Sequence, residues 1–225
     1  MSGTPPPVIA IDGPSASGKG TVSQQLAQAL AFNFLDSGAL YRLVALAALE
    51  RGGNLHDATA IAPIARTLDV VFDGSEIRLQ GRNVTEAIRD ERVSGAASKV
   101  AALAPVRLAL LERQRAFRRP PGLVADGRDM GSVVFPDARL KIFLTAQPAE
   151  RARRRYKQLM AKGLGATMSA LLREIHDRDA RDSERATAPL QKCADAIEVD
   201  STGVSVDEVV ARILALYQQR APKAP

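Results

Sequence analysis

Lys19 sits near the end of the stretch Gly13-Pro14-Ser15-Ala16-Ser17-Gly18-Lys19-Gly20-Thr21, which follows the apolar run Val8 to Ile11 and Asp12. Glycines in such a turn let backbone N–H groups converge on an anion. The helix that follows adds its positive N-terminal end, and a lysine at this spacing reaches terminal phosphates. The chemistry implied is binding of a nucleoside triphosphate.

Four further segments carry groups suited to a second anion or a nucleoside. LDSGALYR at 35–42 puts an Asp-Ser-Gly turn before a helix, with Ser37 as the expected N-cap and Arg42 placed to hold an anion. LVADGRDMG at 123–131 ends an apolar strand in Asp126, at the sheet edge where open α/β folds bind ligands. An acid there can hold magnesium or its water near phosphates, and Arg128 and Asp129 follow within reach. The plainer reading is a simple Asp126-Gly127 turn. RARRRYK at 151–157 brings Arg151, Arg154 and Arg155 towards one helical face. The glycines at 163 and 165 offer a hinge for a cover that delivers arginines to developing charge, although charge runs are often only solvated faces. In HDRDARDSER at 176–185, Arg178, Asp182 and Arg185 share a face that could read ribose hydroxyls and a base edge, or could be a salt-bridged surface. His56 and His176 have no partners at metal-ligating spacing and are assigned to the surface.

These groups need a scaffold, and the alternation of short apolar runs with longer helical patterns predicts a parallel sheet wrapped by helices. Strands are expected near 8–12, 32–35, 122–126, 140–145 and 196–200. Helices are expected over 19–31, 39–51, 58–67, 84–89, 94–103, 105–118, 148–162, 167–181 and 205–219. The segment 68–85 breaks the alternation: Asp73-Gly74 separates two β-rich runs, and Gly81-Arg82-Asn83 forms a second polar turn, which together predict an antiparallel hairpin.

Composition narrows the class. At 225 residues, 46% hydrophobic and 25% charged, the chain suits one globular α/β domain. The net charge of +6 could serve nucleic acid, but 4% aromatic content without tryptophan argues against a stacking platform for single strands. Arginine outnumbers lysine, which favours bidentate grip on small phosphates. Cys193 stands alone, so neither an intrachain disulfide nor a cysteine zinc site is expected, and a reducing cytoplasm fits. MSGTPPP has no signal-peptide pattern and no run is long enough for a membrane span; this segment and the APKAP tail read as loose ends.

GPSASGKGT, LDSGALYR, ADGRDMGSVVFPDA, KIFLTA and RDARDSERATAPL occur together and in this order. As a set they resemble the cytidylate kinases of bacteria, over residues 8–218, and the displaced hydroxyl at Thr21 is itself the form found in nucleoside monophosphate kinases. The resemblance implies a P-loop nucleoside monophosphate kinase fold: a five-stranded parallel sheet wrapped by helices, with a small β-rich insert and a short lid. The whole chain, 1–225, would be a single domain, with its core about 8–59, 96–150 and 182–219, the acceptor-side insert about 60–95 and the lid about 151–181. The reaction implied is phosphoryl transfer from ATP to CMP or dCMP with Mg2+. By the same resemblance residues 13–21 bind ATP, and Thr21 and Asp126 approach the metal. Arg42 and Arg128 hold the acceptor phosphate, with Ser37 in the same substrate-binding set. Ser98, Arg107, Asp129 and Arg185 match cytosine-recognising positions, and Arg178 with Asp182 match those at the sugar. Lys19, Arg128, Arg154 and Arg178 form the expected catalytic set. A cytoplasmic monomer without nucleic-acid or membrane partners is expected. A P-loop kinase for adenylate or shikimate, and a nucleotide-dependent nucleic-acid binder, are the rival readings.

Overall fold

The computed structural model describes residues 5–73 and 76–220. Gly74 of the expected hairpin turn, residues 1–4 of the leading segment and the 221–225 tail lie outside the described residues. Along the chain run β1 (Val8–Asp12), α1 (Lys19–Leu30), β2 (Asn33–Asp36), α2 (Ser37–Glu50), α3 (Ala58–Arg66), β3 (Val70–Asp73), β4 (Glu76–Leu79) and β5 (Arg82–Asn83). Next come α4 (Glu91–Val100), α5 (Ala104–Arg115), β6 (Leu123–Gly127), β7 (Leu140–Thr145), α6 (Pro148–Ala161), α7 (Met168–Glu184), β8 (Ile197–Asp200) and α8 (Val206–Arg220). Two compact units result, Met1–Leu35 with Phe117–Pro225, and Asp36–Ala116.

The first unit is built on a parallel sheet of order β2-β6-β1-β7-β8. β1 is buried along its whole length, which is why it reads as an unbroken apolar run rather than an alternating one. Register pairs Val8 with Leu123 and Asp12 with Gly127 on one side, and Asp12 with Phe143 on the other. The carboxyl ends of β1, β6 and β7 are therefore level, and the loops that leave them share one edge. Ile9, Ile11, Val124, Ile142 and Leu144 pack with Val22 and Leu26 of α1 and Val209 and Ile213 of α8. Burial of each such Ile or Leu contributes about 2 kcal/mol, so this core fixes the edge firmly. A smaller cluster of Ala152, Leu159, Leu171 and Ile175 joins α6 to α7.

In the second unit α2 packs on α3 and α4, and α3 on α5, beside a three-stranded antiparallel sheet of order β3-β4-β5. The hairpin expected at 68–85 is present as β3 and β4, paired from Val70 with Leu79 to Asp73 with Glu76. The second polar turn differs from expectation. Gln80 and Gly81, at φ 50° and 75°, make the turn, and Arg82–Asn83 is a third short strand.

Other differences have local causes. α2 begins at Ser37 rather than 39 because Asp36, not Ser37, is its N-cap: Asp36 Oδ1 accepts from Ala39 N at 2.9 Å. The helix expected over 84–89 shrinks to a 3-10 turn at Ala87–Arg89, since Asp90 caps a new helix by accepting from Arg92 N, which also starts α4 before residue 94. α7 continues to Glu184, past the expected 181. A π-helical turn over Met130–Val134 had no counterpart in the sequence reading. Among the described residues no single helix is long and apolar enough to cross a membrane.

Candidate active site

The glycine loop joins the end of β1 to α1. Gly13 has φ 152°, and a Cβ on it would lie 2.0 Å from the Leu144 carbonyl oxygen, so only glycine lets the loop leave β1 this close to β7. Gly18, at φ 93°, is the N-cap of α1, so the first helical amides face the loop. Lys19 is buried; its Nζ donates to Pro14 O at 2.7 Å and lies 3.5 Å from Ser17 Oγ. Burial, with the Arg128 charge, pulls its ammonium down to about 7, while Asp126, Asp182 and Asp12 work against that shift. A bound polyphosphate would supply the missing negative charge.

Two arginines of α6 brace the outside of the loop. Arg151 is buried, donates to Ser15 O at 3.2 Å and Ala146 O at 3.0 Å, and grips Asp179 of α7 with both terminal nitrogens at 3.0 and 2.6 Å. Arg154 donates to Ser17 O at 3.0 Å, to Ser201 Oγ at 3.1 Å and to Ser201 O at 2.5 Å, and pairs with Glu150 at 3.1 Å. Arg155 is half-buried, 3.3 Å from Gln158 Oε1. These three residues share a helix, yet only Arg151 and Arg154 are described on loop carbonyls.

Asp126, at the end of β6, is buried, and an ideal Cβ on Gly20 would lie 3.5 Å from its Oδ2, an ordinary contact that places the carboxylate beside the first turn of α1. Thr21 is exposed on that turn. Among the described residues no group of three or more His, Cys, Asp or Glu could hold a metal. One carboxylate and one hydroxyl suit a magnesium ion that takes its other ligands from water and phosphate.

Beyond β6, Arg128 Nε donates to Asp182 Oδ2 at 2.9 Å. Burial opposes the Arg128 charge, but Asp182 outweighs it and leaves the guanidinium more firmly protonated than an ordinary arginine. Burial would likewise raise Asp182, yet Arg128, then Arg178 and Arg185, hold its carboxyl below the usual carboxylate range. Arg185 donates from Nε to Ala188 O and lies 3.9 Å from Asp129 Oδ1. Arg128, Asp129, Arg178, Asp182 and Arg185 are thus one charge network of the first unit, in which Arg128 and Asp182 meet from 54 residues apart in the chain.

Four expected residues belong to the second unit. Arg42 pairs with Asp36 at 2.7 Å, one turn of α2 away from its cap, where Ser37 is buried. Arg107 is buried with its guanidinium 5.6 Å from the Tyr41 ring centroid, and donates to Ala101 O at 3.1 Å. Ser98 is buried and its hydroxyl has no hydrogen-bond partner among the described residues.

Three groups escaped the sequence reading. Asp12 is buried and accepts from Met130 N and Gly131 N, both at 2.8 Å. Burial raises its carboxyl to about 6 against those two bonds. Ser201 Oγ lies 3.0 Å from both Ser17 O and Thr145 O. Tyr41 supports Arg107. The signal for Asp12 was an acid ending a strand before a glycine loop, and for Ser201 a polar Asp-Ser-Thr-Gly turn after the last strand.

The sequence profile of cytidylate kinase matches residues 9–219. A cytidylate kinase of Stutzerimonas stutzeri is 59% identical over 222 residues, 96% of this chain and 97% of the relative. One from Nitrosomonas eutropha is 56% identical over 211 residues, 94% of each chain. Among solved structures, an uncharacterized protein from Eubacterium ventriosum shares the fold at TM-score 0.51 and 13% identity, covering 94% of this chain and 98% of that one. The glycine loop and the arginine–carboxylate network agree with the match along nearly the whole chain: it belongs to the cytidylate kinase family of phosphotransferases.

Proposed function

We propose that the protein moves the terminal phosphoryl group of ATP to CMP and dCMP, yielding ADP with CDP or dCDP, in pyrimidine nucleotide metabolism. The observation that carries this reading is the shared sheet edge where Lys19, Asp126 and the Arg128–Asp182 pair meet in a chain of this family. An acceptor phosphate oxygen attacks the γ-phosphorus as the bond to the β,γ-bridging oxygen breaks. Both oxygens are already anionic or become so, and no side-chain nucleophile is required.

Catalysis then reduces to positioning and charge neutralisation. Residues 13–21 cradle the ATP phosphates, and Lys19 exchanges Pro14 O for a phosphate oxygen. Arg128 and Arg42 grip the acceptor phosphate, with Ser37 of the Arg42 segment in the same substrate-binding set. Asp129 accepts the exocyclic amine of cytosine, which uracil lacks, while Arg107, Ser98 and Arg185 address its carbonyl and ring nitrogen. Arg178 and Asp182 take the sugar. Thr21 and Asp126 would hold Mg2+, which when bound neutralises phosphate charge. Arg154 and Arg178 supply further positive charge, Arg154 after leaving Ser17 O and Ser201. In this reading the segment about 151–181 is a lid that excludes water, the segment about 60–95 serves the acceptor, and the protein works as a cytoplasmic monomer without nucleic-acid or membrane partners.

ADP release measured with CMP, dCMP, UMP, AMP and shikimate tests the assignment. Activity highest with a cytidylate is expected; activity highest with any other acceptor overturns it.

A further inference from the structure

The turn that carries Arg128 and Asp129 has an unusual start. Asp129 stands at the N-cap of the π-helical turn Met130–Val134 but makes no side-chain cap hydrogen bond there. A helix start leaves backbone N–H groups without partners, and an N-cap aspartate ordinarily satisfies them itself. Here Asp12, from the end of β1, accepts from Met130 N and Gly131 N at 2.8 Å each. Asp129's own carboxylate lies 3.9 Å from Arg185.

We infer that Asp12 is a positioning residue for the acceptor: by capping this turn from another strand it fixes where Arg128 and Asp129 stand and keeps the Asp129 carboxylate from being consumed as the cap. The inference rests on the reading of Arg128 and Asp129 as acceptor-binding residues. The packing behind the turn agrees with it. A Cβ on Gly131 would meet Lys141 Cδ at 3.1 Å, Lys141 Cγ at 3.2 Å and Asp12 Oδ2 at 3.4 Å, so the turn is seated closely against side chains of β1 and β7. Two bonds to a carboxylate are of the stronger, charge-assisted kind, and a shift of the turn by a fraction of an ångström would move both groups that follow β6.

Two substitutions attack this seat from opposite sides. Asp12→Asn replaces one acceptor oxygen with a donor that faces a backbone N–H. Gly131→Ala crowds the turn against Lys141 and Asp12 from its other side and leaves the acid intact. Both are expected to raise KM for CMP by about tenfold or more, with KM for ATP within about threefold of wild type. Asp12 is covalently joined to Gly13 of the ATP loop, so a merely local structural role predicts the reverse bias. An equal rise for both substrates, a rise for ATP alone, or no change overturns the inference. If Asp12→Asn does not fold, Gly131→Ala alone decides by the same criterion. Wild-type protein that turns over no cytidylate overturns the functional reading and this inference with it; wild-type turnover with unselective variants overturns the inference alone.

Discussion

The two units hold their candidate functional groups by different means. In the first, nearly every charged group is tied to another protein group: Arg128 to Asp182, Arg151 to Asp179 and Ser15 O, Arg154 to Ser17 O and Ser201, Lys19 to Pro14 O. In the second, Arg42 shares a half-exposed pair with Asp36, Arg107 lies over a ring, and the Ser98 hydroxyl is buried without a hydrogen bond. For these charged groups of the first unit, binding a ligand would therefore be an exchange of partners, although the Ser15 hydroxyl of the glycine loop is, like that of Ser98, buried without a hydrogen bond among the described residues. In the second, a ligand at Ser98 would satisfy a group the fold has left wanting, and such a group costs stability while it stays unpaired.

Substitutions can break that contrast. The largest effect is expected for Lys19→Ala, with kcat reduced by about a thousandfold and the melting temperature not lowered, because a buried ammonium whose pKa burial already depresses is being removed. Near-normal turnover would detach the loop from the chemistry. Next, Arg128→Met should cost about 3 kcal/mol in denaturant unfolding, since it strands the buried Asp182 carboxylate. Arg42→Met should cost less than about 1 kcal/mol while still weakening CMP binding. Equal stability losses would erase the distinction between the units. Ser98→Ala should go further, raising stability by about 1 kcal/mol through loss of an unsatisfied hydroxyl while raising KM for CMP. A parallel loss of stability would mean that the hydroxyl serves the fold.

The smallest effect belongs to a pair away from these groups. The hydrogen bond and charge of Lys141 hold the Asp195 carboxyl below its ordinary value, against slight burial. The stability it adds is present above the ordinary carboxylate range and is lost as pH falls through the lowered folded value. Asp195→Asn should slightly lower stability at neutral pH and leave strong acid unchanged, which flattens the acid limb of the stability curve.

What could be read in the sequence follows from how local each signal is. β1, β6 and β7 are buried on both faces and so announce themselves as continuous apolar runs, and the glycine loop is legible because its parts are consecutive. Asp12 could not be interpreted that way, since the amides it caps lie at Met130 and Gly131, beyond more than a hundred intervening residues. Ser37 was expected to cap α2 and Asp36 does so instead, because either side chain can accept from a first-turn amide and only the backbone geometry decides between them. Likewise, helical spacing placed Arg151, Arg154 and Arg155 near one another but could not reveal that the first two end on carbonyls of the glycine loop.

Those carbonyl contacts have a kinetic consequence. Ser15 O and Ser17 O are held by Arg151 and Arg154 of α6, so these two carbonyls are turned outward and part of the loop's ordering entropy is spent during folding. A nucleotide bound as proposed would then meet a loop that is already largely ordered. In stopped flow its association should show a first phase whose rate rises linearly with nucleotide concentration, and any later, concentration-independent phase should belong to release of Arg154 and movement of the lid rather than to ordering of the loop.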